Sequence, residues 1–564
     1  MRTPPSTTAA LPLVVLLAGC AQNPFALDEL DHAPKRPQER LRRLETASLE
    51  RFAQPKRDVP PTDDVVRKRF DGIEKMDLKI EDARKSVLEN NLDLKVAIVD
   101  PAIARERVSE EEARFESTLT VRTGWQESDS PTSSSLVTAT GQNRFLEPGV
   151  RVPMITGGTA SVSLPISRNE NDNSFSTLNP AYTTDLQFSI SHPLLRNAGR
   201  RFNTAALRIA EYDEQAAEAR TKLEAIRQLA AADRSYWRLY QARRELEVRQ
   251  QQYELANAQL QRAQRRVTQE LAAEIEVTRA SAGLADRLES IITSQRNLLL
   301  QQRELKRVVN LPGLTIETTT QVVPATEPDP VEYLFDPPAL CAEAIANRME
   351  MLELELRLAA DAANIGVARN QMLPLLSLDY TYRINGLGNS VPDSVGSARG
   401  NRFEDWELGL SAEIPLGNEA ARSRVASAIL TRIQRLNSRS SREQSIRQEV
   451  LNAVDVINEG WQRILAARQS VVLNTRALQA EQRAFDVGRS TSTDVLDAAS
   501  RLAEAQLAEI RALAEYQIAQ VDLAFATGTL LGADKVQWTP IEGPDVEATP
   551  DPQEDPVPNA ESPG

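Results

Sequence analysis

The chain has 564 residues, is 41% hydrophobic but only 5% aromatic, and carries a formal net charge of -14. So acidic a balance gives no electrostatic footprint for nucleic acid. Two cysteines and two histidines, with no Cys-x-x-Cys and no His cluster, leave too little for a metal site.

The first twenty residues read MRTPPSTTAALPLVVLLAGC. The apolar run from Ala9 to Leu17 is too short to span a bilayer. It ends in Leu17-Ala18-Gly19-Cys20, which resembles the bacterial lipobox, where the cysteine is acylated and becomes the mature N-terminus. The expectation is a lipoprotein signal peptide over 1–19 and lipid on Cys20; an ordinary signal peptide with an incidental cysteine is the alternative. Ala21 stands where aspartate is the inner-membrane retention cue, which favours the outer membrane. Acylation of Cys20 leaves Cys341 without a disulfide partner. Residues 20–76, charged and proline-broken, are expected as an extended segment.

From about residue 77 the chain is written twice. Glu89 to Trp125 aligns without a gap on Ala346 to Tyr382, and Asp185 to Arg200 on Glu407 to Arg422. The repeats are set at 77–312 and 337–532, joined by a linker at 313–336 and followed by an acidic, proline-rich tail at 533–564 expected to be disordered. Each repeat reads helix, strand, loop, strand, long helix, break, helix.

The strands are expected at about 116–126 and 183–193 in the first repeat, and at about 375–385 and 404–415 in the second. Leu186, Phe188 and Ile190 alternate with polar neighbours, as do Trp406, Leu408 and Leu410. A period of two over about ten residues fits a barrel strand with lipid on one face and a wet lumen on the other. An edge sheet in a soluble domain is the alternative. Residues 127–182 read as a long extracellular insertion, in which Gly158 to Ser167 alternates again, as an extra hairpin outside the membrane or another barrel strand. The corresponding loop of the second repeat reads as short and polar. Four strands cannot close a membrane barrel, because open edges in lipid leave backbone groups unpaired. Several chains must therefore pool them.

Asn203 to about Arg266 is helical in pattern, and about 64 residues at about 1.5 Å each give close to 100 Å. That length suits the crossing of a periplasm; a tethering coiled coil is the alternative. In the second repeat the pattern breaks at VGRSTSTDVLDA, where Gly488 permits a reversal and Thr491 with Asp494 matches a loose capping box. Asp494 and Asp497 share one helix face.

Together these residues resemble the TolC-type outer-membrane efflux proteins, the outer-membrane factor family, over about Leu78 to Gly532. The most specific pieces are the lipobox, the strand ends at Pro193 and Pro415, and VGRSTSTDVLDA. The resemblance implies a mainly α fold with transmembrane β: a homotrimer whose chains give four strands each to an outer-membrane β-barrel, continued by a long periplasmic α-helical barrel. It implies a passive exit duct for efflux or type I secretion. Its partners are a periplasmic adaptor, an inner-membrane transporter and the outer-membrane lipid of a Gram-negative bacterium. By the same resemblance Asp494 and Asp497 line a constriction at the periplasmic tip. Val487, Gly488, Arg489, Ser490 and Thr491 meet the adaptor there. Glu270 stands where Gly488 has its counterpart in the first repeat, which weakens the case for two equivalent adaptor-docking sites per chain. No nucleophile–base pair or phosphate loop suggests an enzyme, and no cofactor is expected. A lipid-anchored periplasmic scaffold without channel activity is the competing reading, and the exported substrate is not legible.

Overall fold

The computed structural model describes residues 63–132, 138–173, 175–270 and 273–536. The expected signal peptide, Cys20, most of the 20–76 segment and the tail beyond 536 lie outside the described residues. From residue 63 to 312 the chain holds helices α1 (Asp63–Arg67), α2 (Ile80–Asn90), α3 (Leu92–Ala97), α4 (Val99–Ala113), α5 (Arg200–Asn203), α6 (Ala205–Thr268) and α7 (Glu274–Val309). Its strands are β1 (Lys75–Leu78), β2 (Thr118–Asp129), β3 (Thr140–Pro153), β4 (Thr159–Ser163), β5 (Ile166–Asn171) and β6 (Ala181–Pro193). Then follow β7 (Gln321–Pro324), α8 (Pro337–Asn347), α9 (Met349–Asn370), β8 (Leu375–Gly388), α10 (Val391–Arg399), β9 (Glu404–Glu413), α11 (Glu419–Asp486), α12 (Ser492–Thr527) and α13 (Leu530–Ala533).

The long helices form a single wall. Near the sheet the neighbours run α4, α6, α9, α11; towards the far end they run α7, α6, α12, α11. Alanine makes this possible: Ala225, Ala230, Ala232, Ala242 and Ala256 of α6 are all buried, and small residues let helix axes approach to about 8–10 Å. Larger residues fill the gaps between. Tyr236, Leu239, Leu246 and Tyr253 pack with Ile291, Leu298 and Leu305 of α7, and Val454, Ile457 and Ile464 of α11 pack with Tyr516 and Leu523 of α12. Among the described residues no helix is long and apolar enough to cross a membrane.

All four expected strands form, as β2, β6, β8 and β9, but the sheet is larger than expected. Its antiparallel order is β2-β3-β4-β6-β8-β9, with β5 continuing β4 between β3 and β6. The insertion at 127–182 supplies a hairpin that lies within this sheet, and β3 pairs with β2 along all twelve residues of the latter. The loop of the second repeat is also more ordered than a polar connection. Ser390 accepts from the Asp393 N–H and Pro392 follows, a helix start that yields α10. α10 packs on β8, with Ser394 hydroxyl-bonded to Thr184 at 2.8 Å.

The linker at 313–336 is pinned against the helices. β7 pairs in parallel with β1, and the Tyr236 hydroxyl donates to the Leu78 carbonyl at 3.0 Å and accepts from the Thr326 N–H at 2.9 Å. Further along, the Tyr516 hydroxyl donates to the Val331 carbonyl at 2.5 Å. Where α13 returns to α2, Arg84 reaches the carboxylates of Asp233 and Asp534, each at 2.8 Å. Burial pushes Asp534 up to about 7, with Asp233 adding to the rise and Arg84 opposing it.

Two outcomes follow from these buried groups. Tyr236→Phe strands two backbone groups and should cost about 1–3 kcal/mol, read as a lower thermal midpoint in detergent; an unchanged midpoint would mean the linker is not held there. Because the Asp534 pKa is raised on folding, its contribution is fully present below about pH 4 and is lost as pH rises through about 7. Asp534→Asn should flatten the fall in midpoint between pH 5 and 8 that the parent shows.

Candidate functional site at the hairpin tip

α11 and α12 reverse at residues 487–491. Val487 caps α11 and Gly488 takes φ +76. Its N–H donates to the Phe485 carbonyl at 3.0 Å, and the Arg489 N–H donates to the Ala484 carbonyl at 2.9 Å. This is the paired closure of a Schellman turn, which needs a left-handed residue where the glycine stands. α12 then starts on a full capping box. The Asp494 N–H donates to Thr491 Oγ1, and Asp494 Oδ2 accepts from the Thr491 N–H at 2.8 Å and from Thr491 Oγ1 at 2.6 Å. Ser490 Oγ lies 3.2 Å from the same Asp494 oxygen and 2.8 Å from Glu481 Oε2. The hydroxyl and backbone donors of Thr491 hold Asp494 below the ordinary carboxylate range, helped by Ser490.

Asp497 is exposed one turn on and makes no side-chain hydrogen bond within the described residues. Asp494 is exposed too, as are Val487 and Arg489. Beneath them lies a small apolar plug of Leu478, Phe485, Val495, Ala498 and Ala499. Arg266 of α6 lies over the Phe485 ring, 5.0 Å from its centre, and Arg287 of α7 donates to Ser500 Oγ at 2.5 Å. Those contacts tie the second tip to the first. Sequence reasoning did not select Glu481, Phe485 or Arg266; only the phenylalanine, lone and apolar beside the break, carried a signal.

The first tip reverses on a similar backbone but with different charges. Glu270 adopts φ +59, so it takes the left-handed conformation of Gly488 despite its side chain, and its N–H donates to the Val267 carbonyl as Gly488 does to Phe485. The backbones of the two reversals are equivalent at this position. Their charges are not. In the same register Glu276 matches Asp494 and Arg279 matches Asp497, and these two form an ion pair at 3.3 Å. The first tip neutralises itself where the second presents two carboxylates.

Residues 340–529 match the family described as outer membrane efflux protein. The chain is 30% identical to the outer membrane protein TolC of Vibrio cholerae over 202 residues, covering 34% of this chain and 45% of that protein. It is 26% identical to TolC of Escherichia coli over 307 residues, covering 52% of this chain and 60% of that protein. It thus spans about half the length of these curated relatives. The fold aligns with that of the solved outer-membrane channel OprN at TM-score 0.60 and 19% identity, over 80% of this chain and 90% of that one.

Thr491→Ala removes both the acceptor for the Asp494 N–H and a donor to its carboxylate. Amide hydrogen exchange over residues 492–495 should speed up about 5-fold, as expected for a cap worth about 1 kcal/mol, and Thr491→Ser should restore it. Equal exchange in all three proteins would show that the box does not hold the helix start.

Proposed function

We propose, from the premise that this chain is a TolC-type member of the outer membrane efflux protein family, that it works as the passive exit duct of a tripartite efflux or secretion assembly. Three copies close the sheet in the outer membrane and the helical wall in the periplasm, and the cargo is delivered by an inner-membrane pump through a periplasmic adaptor. The observation that carries this reading is the pair of open edges. β2 and β9 end the sheet, each paired on one side only, while Leu119, Val121, Trp125, Trp406, Leu408 and Leu410 on those strands are exposed. An apolar face with unpaired edges is stable in lipid only when another chain pairs them.

The helices support the same assembly. α11 leaves Leu451, Leu465 and Val472 exposed at multiples of seven residues, the spacing of a seam against another helix. At the tip, Asp494 and Asp497 from three copies would place six carboxylates around the axis, a ring that attracts cations and disfavours anions. Val487, Gly488, Arg489 and Thr491, exposed, with half-buried Ser490 between them, would form the rim on which an adaptor docks. The matched backbone at Glu270 offers a second, chemically different place on the same rim. Cys20, acylated, would anchor the chain in the outer membrane.

Planar bilayers test the reading. The parent should conduct with cation preference, and Asp494→Asn/Asp497→Asn should move the reversal potential under a salt gradient at least halfway to zero. Absence of any conductance by the inserted protein would favour the scaffold alternative and remove the duct.

A further inference from the structure

The sheet carries more wall than the family resemblance leads one to expect. β3 and β4 form a hairpin inserted between β2 and β6, and its pairing is continuous: Leu119 with Val150, Val150 with Val162, Val162 with Phe188, Phe188 with Tyr382, Tyr382 with Trp406. One apolar row therefore crosses all six strand positions without a gap. The neighbouring row on the opposite face is Thr118, Arg151, Ser161, Ser189, Thr381 and Glu407, polar throughout. Val150, Val162, Phe188 and Trp406 are exposed on the same face.

The hairpin also runs the full height of the sheet. Its turn at 154–158 sits at the helix end, beside the junction that leads from β6 into α6. There the Gly199 N–H donates to the Thr156 carbonyl at 2.9 Å, and His192 Nε2 lies 3.0 Å from Thr156 Oγ1. Gly157 takes φ +100, and a Cβ there would fall 2.3 Å from the Asn197 carbonyl oxygen; one on Gly158 would fall 2.7 Å from the His192 ring. The turn is fitted to the base of the sheet and does not hang outside it. Pro165 breaks the ascending strand into β4 and β5, and the carbonyl of Pro148, opposite, accepts from the Leu164 N–H at 2.8 Å across the break.

Resting on the three-chain duct proposed above, we infer that each protomer contributes six strands, so that the outer-membrane wall has eighteen and not twelve. At equal tilt the diameter grows about linearly with strand number, so the pore is about half again as wide as a twelve-stranded one. The junction favours the larger number. Next to the sheet each protomer presents α4, α6, α9 and α11, and twelve helices at roughly 10 Å give a circumference of roughly 120 Å. Strands about 4.8 Å apart and tilted by about 40° give about 110 Å for eighteen and about 75 Å for twelve. The wider sheet continues the helical wall without a step. Cargo as bulky as the helical section admits, including extended or partly folded polypeptide, then leaves without a second sieve at the membrane, and size selection falls on the tip.

Spin labels on full-length protein in phospholipid nanodiscs test this at four sites, Val150→Cys, Val162→Cys, Ser161→Cys and Leu410→Cys, with buried Cys341 setting the background. Labels at 150 and 162 should match Leu410→Cys in favouring collisions with oxygen over a water-soluble nickel chelate, by at least 3-fold, and the label at 161 should reverse that ratio. Nickel preference at 150 and 162 with oxygen preference at 410 would place the hairpin outside lipid and overturn the inference, leaving the duct intact. Nickel preference at 410 as well would remove both. Electron cryomicroscopy of the unmodified trimer, should the labelled variants misfold, counts the strands directly: eighteen supports the inference and twelve refutes it.

Discussion

Unpaired backbone at the two edges of one sheet is the constraint from which the rest of this structure follows. β2 and β9 each offer a row of N–H and C=O groups with no partner among the described residues, and a β-strand in hydrocarbon has no water to satisfy them. A soluble protein would blunt such edges with charge, proline or a covering helix. Here the edge strands keep apolar residues on alternate positions instead, Leu119 and Val121 on one and Leu408 and Leu410 on the other. The edges are built to be paired. Once they pair in a ring, the helices that leave the sheet are committed to the same ring, because α4, α6, α9 and α11 stand directly beneath it.

Duplication explains how one chain builds so long a wall from few instructions. The left-handed residues mark the copies: Glu270 and Gly488 at the tips, Asn310 and Gly528 at the returning ends of α7 and α12. Asn310 and Gly528 meet matching places, since Asn310 Nδ2 donates to the Asn90 carbonyl at 2.9 Å and Gly528 packs against Asn347. The backbone plan is kept while the side chains diverge. Asn91, buried, caps α3 and donates to the Val308 carbonyl at 2.8 Å; its counterpart Arg348, also buried, pairs with Glu350 and Glu449. One plan therefore carries a neutral junction in one copy and an ionic one in the other, and likewise a self-neutralised tip and an acidic one.

How far this could be read from the residues depended on whether the local period was clean. β6, β8 and β9 alternate without interruption and are plain in the sequence, as is α6, whose 64 residues match the expected length. β3 was not, for a local reason. Phe145 lies on the polar face, against Gly124, where a Cβ would fall 2.6 Å from its ring, and Arg144 lies on the apolar face over Trp125, 5.0 Å from the ring centre. Both break the alternation, and Pro148-Gly149 reads as a turn although the strand runs through it. At the tip the capping box was legible because it is local in sequence. Left-handed Glu270 was not, since nothing in a glutamate announces that conformation.

The tip differs from the first-repeat reversal in one respect that bears on gating. A crowded carboxylate usually relieves repulsion by taking up a proton. Asp494 resists that route, because Thr491 and Ser490 donate to it and hold its pKa down. Asp497 makes no side-chain hydrogen bond among the described residues and can turn away or meet a cation. If three copies bring their tips together as proposed, the Asp494 charges must be answered by counter-ions or by separation of the hairpins. Around the tip, α11 and α12 meet α6 and α7 through the Phe485 plug, which Leu255 of α6 joins, through Arg266 over the Phe485 ring and through the bond from Arg287 to Ser500. In that proposed ring, charge that resists protonation, at the end of long hairpins, favours opening whenever an approaching partner supplies contacts that the closed ring lacks.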